Sequence, residues 1–169
     1  KTDSLGSKLS ANISFLKYER KMNSTNESAP AGGGIPSIFH QSVPQYIDNV
    51  GALLDYVHKT KGKTTWMFGG SYNNTKTEND TNQDMISENG YVNNEARSNH
   101  FVYEENIIGL YATLELTMNE KFSTKVGTRV ENTNSEGRVL DKVIGFKRNY
   151  NNILPYLNLN YSINEDNSL

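Results

Sequence analysis

FVYEENIIGLYATLELT (Phe101–Thr117), then Met118-Asn119-Glu120, then KFSTKVGTRVE (Lys121–Glu131): this stretch decides the fold. In its first arm Ile108, Leu110, Ala112, Leu114 and Leu116 fall on one parity. Glu105, Ile107, Gly109, Tyr111, Thr113 and Glu115 fall on the other. The second arm places Phe122, Val126 and Val130 against Lys125, Gly127, Arg129 and Glu131. Successive side chains of a strand point to opposite faces, so a period of two predicts a β-hairpin turning at Met118–Glu120. Each arm exceeds the roughly five or six residues usual in soluble sheets and meets the roughly 9–11 needed to cross a bilayer at a tilt. One face is an apolar stripe suited to lipid, and the other mixes charge, hydroxyl and glycine as a wet lumen requires.

The same rule predicts strands on either side. Leu5–Glu19 puts Leu9, Ala11, Ile13 and Phe15 on one face, and Tyr46–His58 does so with Val50, Ala52, Leu54 and Tyr56. Thr64–Thr75 turns Trp66, Phe68 and Tyr72 outward and Thr65, Gly69 and Ser71 inward. Tyr150–Ile163 sets Ile153, Leu157, Leu159, Tyr161 and Ile163 against Asn152, Tyr156, Asn158, Asn160 and Ser162. Between these strands, Gly, Pro and Asn density predicts a long loop over Lys21–Gln45, a second over Lys76–Asn99 and an intermediate one over Asn132–Lys147. Thr60–Lys63 and Asn164–Asn167 read as short turns. Long and short connections therefore alternate, as they do where one set of turns faces the periplasm and the other reaches outside. The expected fold is all-β, an antiparallel up-and-down meander of about six long strands within a larger transmembrane barrel.

Composition narrows the function. The chain of 169 residues has net charge −2 and no cysteine, with mean hydropathy −0.68. Near-neutrality without Lys/Arg blocks gives no basis for nucleic-acid binding. Absence of cysteine removes disulfides and thiolate metal sites. No apolar run reaches the roughly 18 residues of a membrane helix, a test to which β-barrels are blind. His40, His58 and His100 fit no ligand spacing, and the Gly32–Gly34 run lacks the context of a phosphate loop. No catalytic constellation emerges, and the chain is expected to be non-enzymatic and free of cofactor and metal. Asp80, Asn82 and Asp84 have the spacing of the first half of a calcium loop. Met85 and Tyr91 replace that loop's glycine and glutamate, so a solvated acidic loop is expected there.

With the strands placed, Phe101–Tyr111 (FVYEENIIGLY), Val126–Glu131 (VGTRVE) and Asn152–Tyr161 (NILPYLNLNY) resemble the barrel portion of TonB-dependent outer-membrane receptors. The pattern is similar to that of the outer membrane protein β-barrel family common in Bacteroidetes: Y-x-E-x-I-x-x-x-Y, then G-x-R-x-E, then a strand bearing Tyr and Pro. Tyr103, Glu105, Ile107, Tyr111, Gly127, Arg129, Glu131, Pro155 and Tyr161 carry the match, which covers about residues 101–163. The resemblance implies a bacterial outer-membrane receptor that imports a bulky nutrient such as a ferric siderophore, cobalamin or a glycan. It also implies a plug domain, an inner-membrane energy-coupling protein and outer-membrane lipid as partners, with ligand capture by extracellular loops. Six strands fall short of the eight in the smallest bacterial barrels, so residues 1–169 are expected to be a partial barrel that self-associates when isolated.

Glu105, Tyr111, Arg129 and Glu131 are the candidate lumen-facing residues. Arg129 and Glu131, two apart, are expected to be neighbours, either contacting plug or substrate or forming a wall ion pair with Glu105 across the hairpin. The competing reading is a soluble β-sandwich or barrel that binds carbohydrate or protein with its loops. It would bury Leu110, Leu114 and Val126 under a second sheet.

Overall fold

The computed structural model describes residues 6–29, 31–32, 37–87, 90–140, 142–164 and 167–168. Six long strands dominate: β1 (Lys8–Ser28), β2 (Ser37–Lys59), β3 (Thr64–Ser87), β5 (Asn99–Thr117), β6 (Phe122–Val139) and β7 (Ile144–Asn164). Two short ones, β4 (Gly90–Asn93) and β8 (Asn167–Ser168), complete the set. The order β1-β2-β3-β5-β6-β7-β8 is an antiparallel meander, with β4 folded back onto the end of β3. Every long strand thus pairs with its neighbour in sequence, as expected of an up-and-down barrel wall.

The register shows why these residues sit as they do. Leu9, Tyr56, Phe68, Ala112, Thr128 and Pro155 form one row across the six long strands, and Ala11, Leu54, Gly70, Leu110, Val130 and Ile153 form the next. This face is open: Leu110 is 65 % exposed and Ile153 71 %. Val102 is the one buried hydrophobic residue among those described. A soluble domain of this size would bury a core of many apolar side chains. No second sheet covers the stripe among the described residues, whereas a soluble sandwich would bury Leu110, Leu114 and Val126 under one. On a lipid-facing wall the same stripe is matched to its solvent, and the paired strands satisfy the backbone groups that hydrocarbon would leave unsolvated.

The strands are far longer than the apolar pattern predicts, at 18 to 24 residues. Lys21–Gln45 is not a long loop: β1 and β2 stay paired through Lys21↔Pro44 to Ser28↔Ser37. Lys76–Asn99 is β3 continuing to Ser87, a hairpin into β4 and a turn at Asn94, whose carbonyl accepts from the Arg97 and Ser98 amides at 3.0 and 2.9 Å. Asn132–Lys147 is the upper part of the β6–β7 hairpin, paired as far as Val139↔Ile144. The Gly33–Gly34 part of the glycine run and Glu165–Asp166 of the last turn lie outside the described residues. The physical reason is that both faces of these upper portions meet water, so the apolar/polar alternation disappears while the backbone ladder continues. One interruption stands in the β2–β3 ladder, where pairing skips Val43 and Pro44 between Ser42↔Asn82 and Gln45↔Asn79; proline has no amide to donate.

The apolar band lies at one end, next to the tight turns 60–63 and 118–121. Beyond it the strands run on for 9–14 residues, roughly 30–45 Å at about 3.3 Å per residue. Barrels of this kind turn tightly in the periplasm, so the extensions rise on the outer side. There the outward face carries Lys17, Asp48, Lys76, Glu104, Glu136 and Lys147 in one row. One row higher, Glu78 lies 2.7 Å from His100 Nε2 and 3.5 Å from Lys76 Nζ. The His100 hydrogen bond, aided by both neighbours' charge and opposed by desolvation, holds the Glu78 carboxyl below its usual 4.5.

Two outcomes follow from this layout. Leu110→Arg should weaken folding into lipid bilayers by roughly 2–4 kcal/mol while Asn106→Arg, four residues up the same face of β5, costs about 0–1 kcal/mol; urea titration of liposome-folded protein reads both. A depressed carboxyl pKa stabilises the fold above 4.5 and is lost as pH falls through its lowered value. Glu78→Gln should therefore flatten the acid limb of a stability–pH curve below about pH 5 and leave the curve at neutral pH shallow, with an unchanged acid limb counting against the assignment.

Candidate functional site

The face opposite the apolar stripe is built from one repeated device. Asp55, Gly69 and Tyr111 stand side by side on β2, β3 and β5. The Tyr111 ring lies flat across Gly69, where a Cβ would collide with it, and its hydroxyl donates to the Asp55 carboxylate. Thr113, Gly127 and Tyr156 repeat the arrangement on β5, β6 and β7, with the Tyr156 hydroxyl bonded to Thr113 Oγ1 over Gly127. Higher up, Phe146 covers Gly137 and reaches Tyr103, ring centroids 6.4 Å apart. Glycine is required at these positions because only a residue without a side chain lets a ring lie down on the wall. The result is a smooth, hydrogen-bonded surface, where upright rings would narrow the lumen.

Arg129 follows the same logic diagonally. Its guanidinium crosses Gly109 to donate to Ser71 Oγ at 2.6 Å, and its Nε donates to Glu131 Oε1 at 2.6 Å. Tyr111 is its partner across the β5–β6 hairpin. Asp55, Ser71, Tyr111, Arg129 and Glu131 thus form one patch spanning β2 to β6. The Arg129 and Glu131 side chains retain 30 % and 22 % exposure. A half-wet pair of this kind contributes on the order of 0.2–1 kcal/mol. Its larger consequence is orientation: the guanidinium is held flat along the wall by Glu131 and Ser71.

Glu105 stands apart. Its partner across the hairpin is Ser135, and it accepts a hydrogen bond from Tyr103 at 2.7 Å instead of joining Arg129 and Glu131. That bond, above the membrane band, pushes the Tyr103 phenol pKa up. Another cluster lies beside it, with Asn49 Nδ2 donating to Thr75 Oγ1 at 2.7 Å and to Asn73 Oδ1 at 3.1 Å. Asp55, Ser71, Thr113 and Tyr156 escape a reading of single strands, because their role depends on partners one strand beyond the nearest. The signal present in the sequence is glycine on the polar parity of β2, β3, β5 and β6: Gly51, Gly69, Gly109, Gly127 and Gly137.

Asp80, Asn82 and Asp84 lie on β3, not in a loop, and share its outward face. Asn82 Nδ2 donates to Asp80 and Asn93 Nδ2 to Asp84, each at 3.2 Å. A strand holds alternate residues about 6.6 Å apart, too extended to wrap one ion. No group of three or more His, Cys, Asp or Glu able to hold a metal occurs among the described residues. Ser7 and His58 lie 3.4 Å apart, but Ser7 is fully buried and its Oγ accepts from the Lys59 amide, tying the start of β1 to the end of β2.

A single antiparallel sheet, apolar outside and hydrogen-bonded within, on strands that overshoot a bilayer, is the wall of a transmembrane β-barrel. The model of the outer membrane protein β-barrel family matches residues 1–169, and the chain belongs to that family. Its place is the outer membrane. No curated protein sequence matches it. Among solved structures, the unliganded ferric citrate transporter FecA superposes with TM-score 0.58 at 11 % identity, over 98 % of this chain and 24 % of that one. The ferric yersiniabactin uptake receptor FyuA from Yersinia pestis superposes with TM-score 0.53 at 14 % identity, over 92 % of this chain and 24 % of that one. The chain therefore spans about a quarter of the length of these receptors, and the likeness is one of fold.

Gly69→Ala should lift the Tyr111 ring off the wall and destabilise the folded protein by roughly 1–3 kcal/mol. In a Tyr111→Ala background the same change should cost less, a coupling of roughly 0.5–3 kcal/mol by double-mutant cycle. Additive effects would show that ring and glycine do not act as a unit.

Proposed function

We propose that this sheet is part of the barrel of a non-enzymatic TonB-dependent receptor that imports a bulky nutrient across the outer membrane. The observation that carries the reading is the polar patch of Asp55, Ser71, Tyr111, Arg129 and Glu131. It is a wall of charged and hydroxyl groups fixed by their mutual hydrogen bonds, at the depth of the lipid-facing stripe. A pore for small solutes needs only a wet wall. A wall of pre-oriented hydrogen bonds suits a folded plug that must seat against it and move. The fold shared with two iron-chelate receptors supports the same reading. The plug and the inner-membrane energy-coupling protein are its partners in this proposal, and the substrate is a ferric siderophore, a cobalamin or a glycan held near the outer rim.

The test is uptake by cells lacking the gene, with labelled ferric siderophores, cobalamin and oligosaccharides compared against the parent strain. Loss of one class, reproduced when the inner-membrane proton gradient is collapsed, is the expected result. The double change Arg129→Ala, Glu131→Ala should lower uptake about tenfold or more with barrel abundance at the surface unchanged, as loss of a charge-assisted contact predicts. Uptake of every class unaffected by deletion, or indifferent to the proton gradient, overturns the proposal.

A further inference from the structure

The outward face changes character abruptly at the top of the apolar band. On β3, β5, β6 and β7 the first rows above it hold Asn74, Asn106, Asn132, Asn134, Asn149 and Asn151. Asn132, Asn134, Asn149 and Asn151 form one network. Asn132 Nδ2 donates to Asn151 Oδ1 at 2.8 Å and to Asn149 Oδ1 at 3.2 Å, and Asn134 Nδ2 donates to Asn132 Oδ1 at 2.9 Å. Asn149 donates in turn to Asn134, and Asn106 donates to the Tyr72 hydroxyl at 3.1 Å. The upper rim is set by Glu104, bonded to Arg138 at 3.2 Å, and Glu136, bonded to Lys147 at 3.1 Å. Asn106, Asn134, Asn149, Glu104, Glu136 and Lys147 border an open concavity of about 490 Å³.

We infer that this asparagine shelf binds the sugar headgroup of the glycolipid in the outer leaflet. Depth is the first argument. Asn74, Asn106, Asn134 and Asn149 form one row, directly above the row that holds Tyr72, Ile108, Asn132 and Asn151, so acyl chains packed on the stripe put their headgroups at the shelf. Chemistry is the second. A carboxamide has two N–H donors and two lone pairs. Asn134 and Asn149 each spend one donor and one lone pair on a neighbour and keep the rest for a ligand, a pattern that sugar hydroxyls satisfy. Charge is the third. Glu104 with Arg138 and Glu136 with Lys147 cancel, leaving no cationic excess to select a phosphate. Scattered surface asparagine would show neither the confinement to two adjacent rows nor the mutual bonding.

The experiment is native mass spectrometry of the detergent-purified protein loaded with rough-type lipopolysaccharide, its dephosphorylated form, or phosphatidylglycerol. The two glycolipids should be retained equally and phosphatidylglycerol released. Asn134→Leu with Asn149→Leu, which extends the apolar face and removes two amides, should lower glycolipid retention about tenfold. Lys17→Gln with Asp48→Asn, a charged pair in the row of Glu136 and Lys147 but on β1 and β2 and outside the concavity, should leave it unchanged. Heat-modifiable migration in gels verifies that each variant is folded, and the single change Asn134→Ser, expected to lower retention about threefold, reads the same point with less perturbation. Equal retention of phosphatidylglycerol, loss of retention on dephosphorylation, or full retention by the asparagine variants overturns the inference. Nutrient uptake is a separate measurement, so failure of the receptor proposal leaves this result intact.

Discussion

Everything in this structure depends on the register of the backbone ladder. Hydrocarbon offers no partner to an unpaired amide or carbonyl, so each strand crossing it must be hydrogen-bonded along its length. Because side chains alternate, a slip of one residue between any two strands would turn the Leu110 face to the lumen and the Arg129 face to lipid. The rows that cross six strands without a shift from Leu9 to Pro155 and from Ala11 to Ile153 are the outcome of that constraint. The short turns at 60–63 and 118–121 set it locally, since a tight hairpin leaves little freedom in what faces what.

The inner wall solves a second problem. Long polar side chains on a curved sheet compete for space, and upright they would fill the channel. Placing Gly69, Gly109 and Gly127 beneath Tyr111, Arg129 and Tyr156 lets those groups lie across the wall and bond to a strand beyond. The interactions run perpendicular to the strands, adding side-chain ties to the ladder where a soluble protein would use a core. The patch is half-wet, and its contribution is order and direction more than stability.

The lower half of the fold was legible in the sequence because one face there meets lipid and the other water. Leu110 against Tyr111, or Ile153 against Asn152, declares the alternation at once. The upper half was not, since both of its faces are wet. Lys76–Ser87 reads as a loop by polarity, and only Thr75, Thr77 and Thr81, on alternate positions and suited to extended backbone, hint at a strand. The pairing of Arg129 with Glu131 follows from spacing within one strand. Asp55 under Tyr111 and Thr113 under Tyr156 do not, because they lie two strands away across a glycine. Glu105 shows the limit of parity alone: it shares the face but not the neighbourhood.

Among the described residues, each long strand touches only the strands before and after it in the chain, apart from side chains that reach across a glycine. Such a sheet is quasi-one-dimensional, closer to a solenoid than to a packed domain. Assembly can proceed like a zip, each hairpin templated on the last in the order of synthesis, with no distant segment required before the next rung forms. The same modularity makes width an evolvable quantity. A duplicated hairpin adds two staves to the cask and leaves every existing register, face and turn as it was.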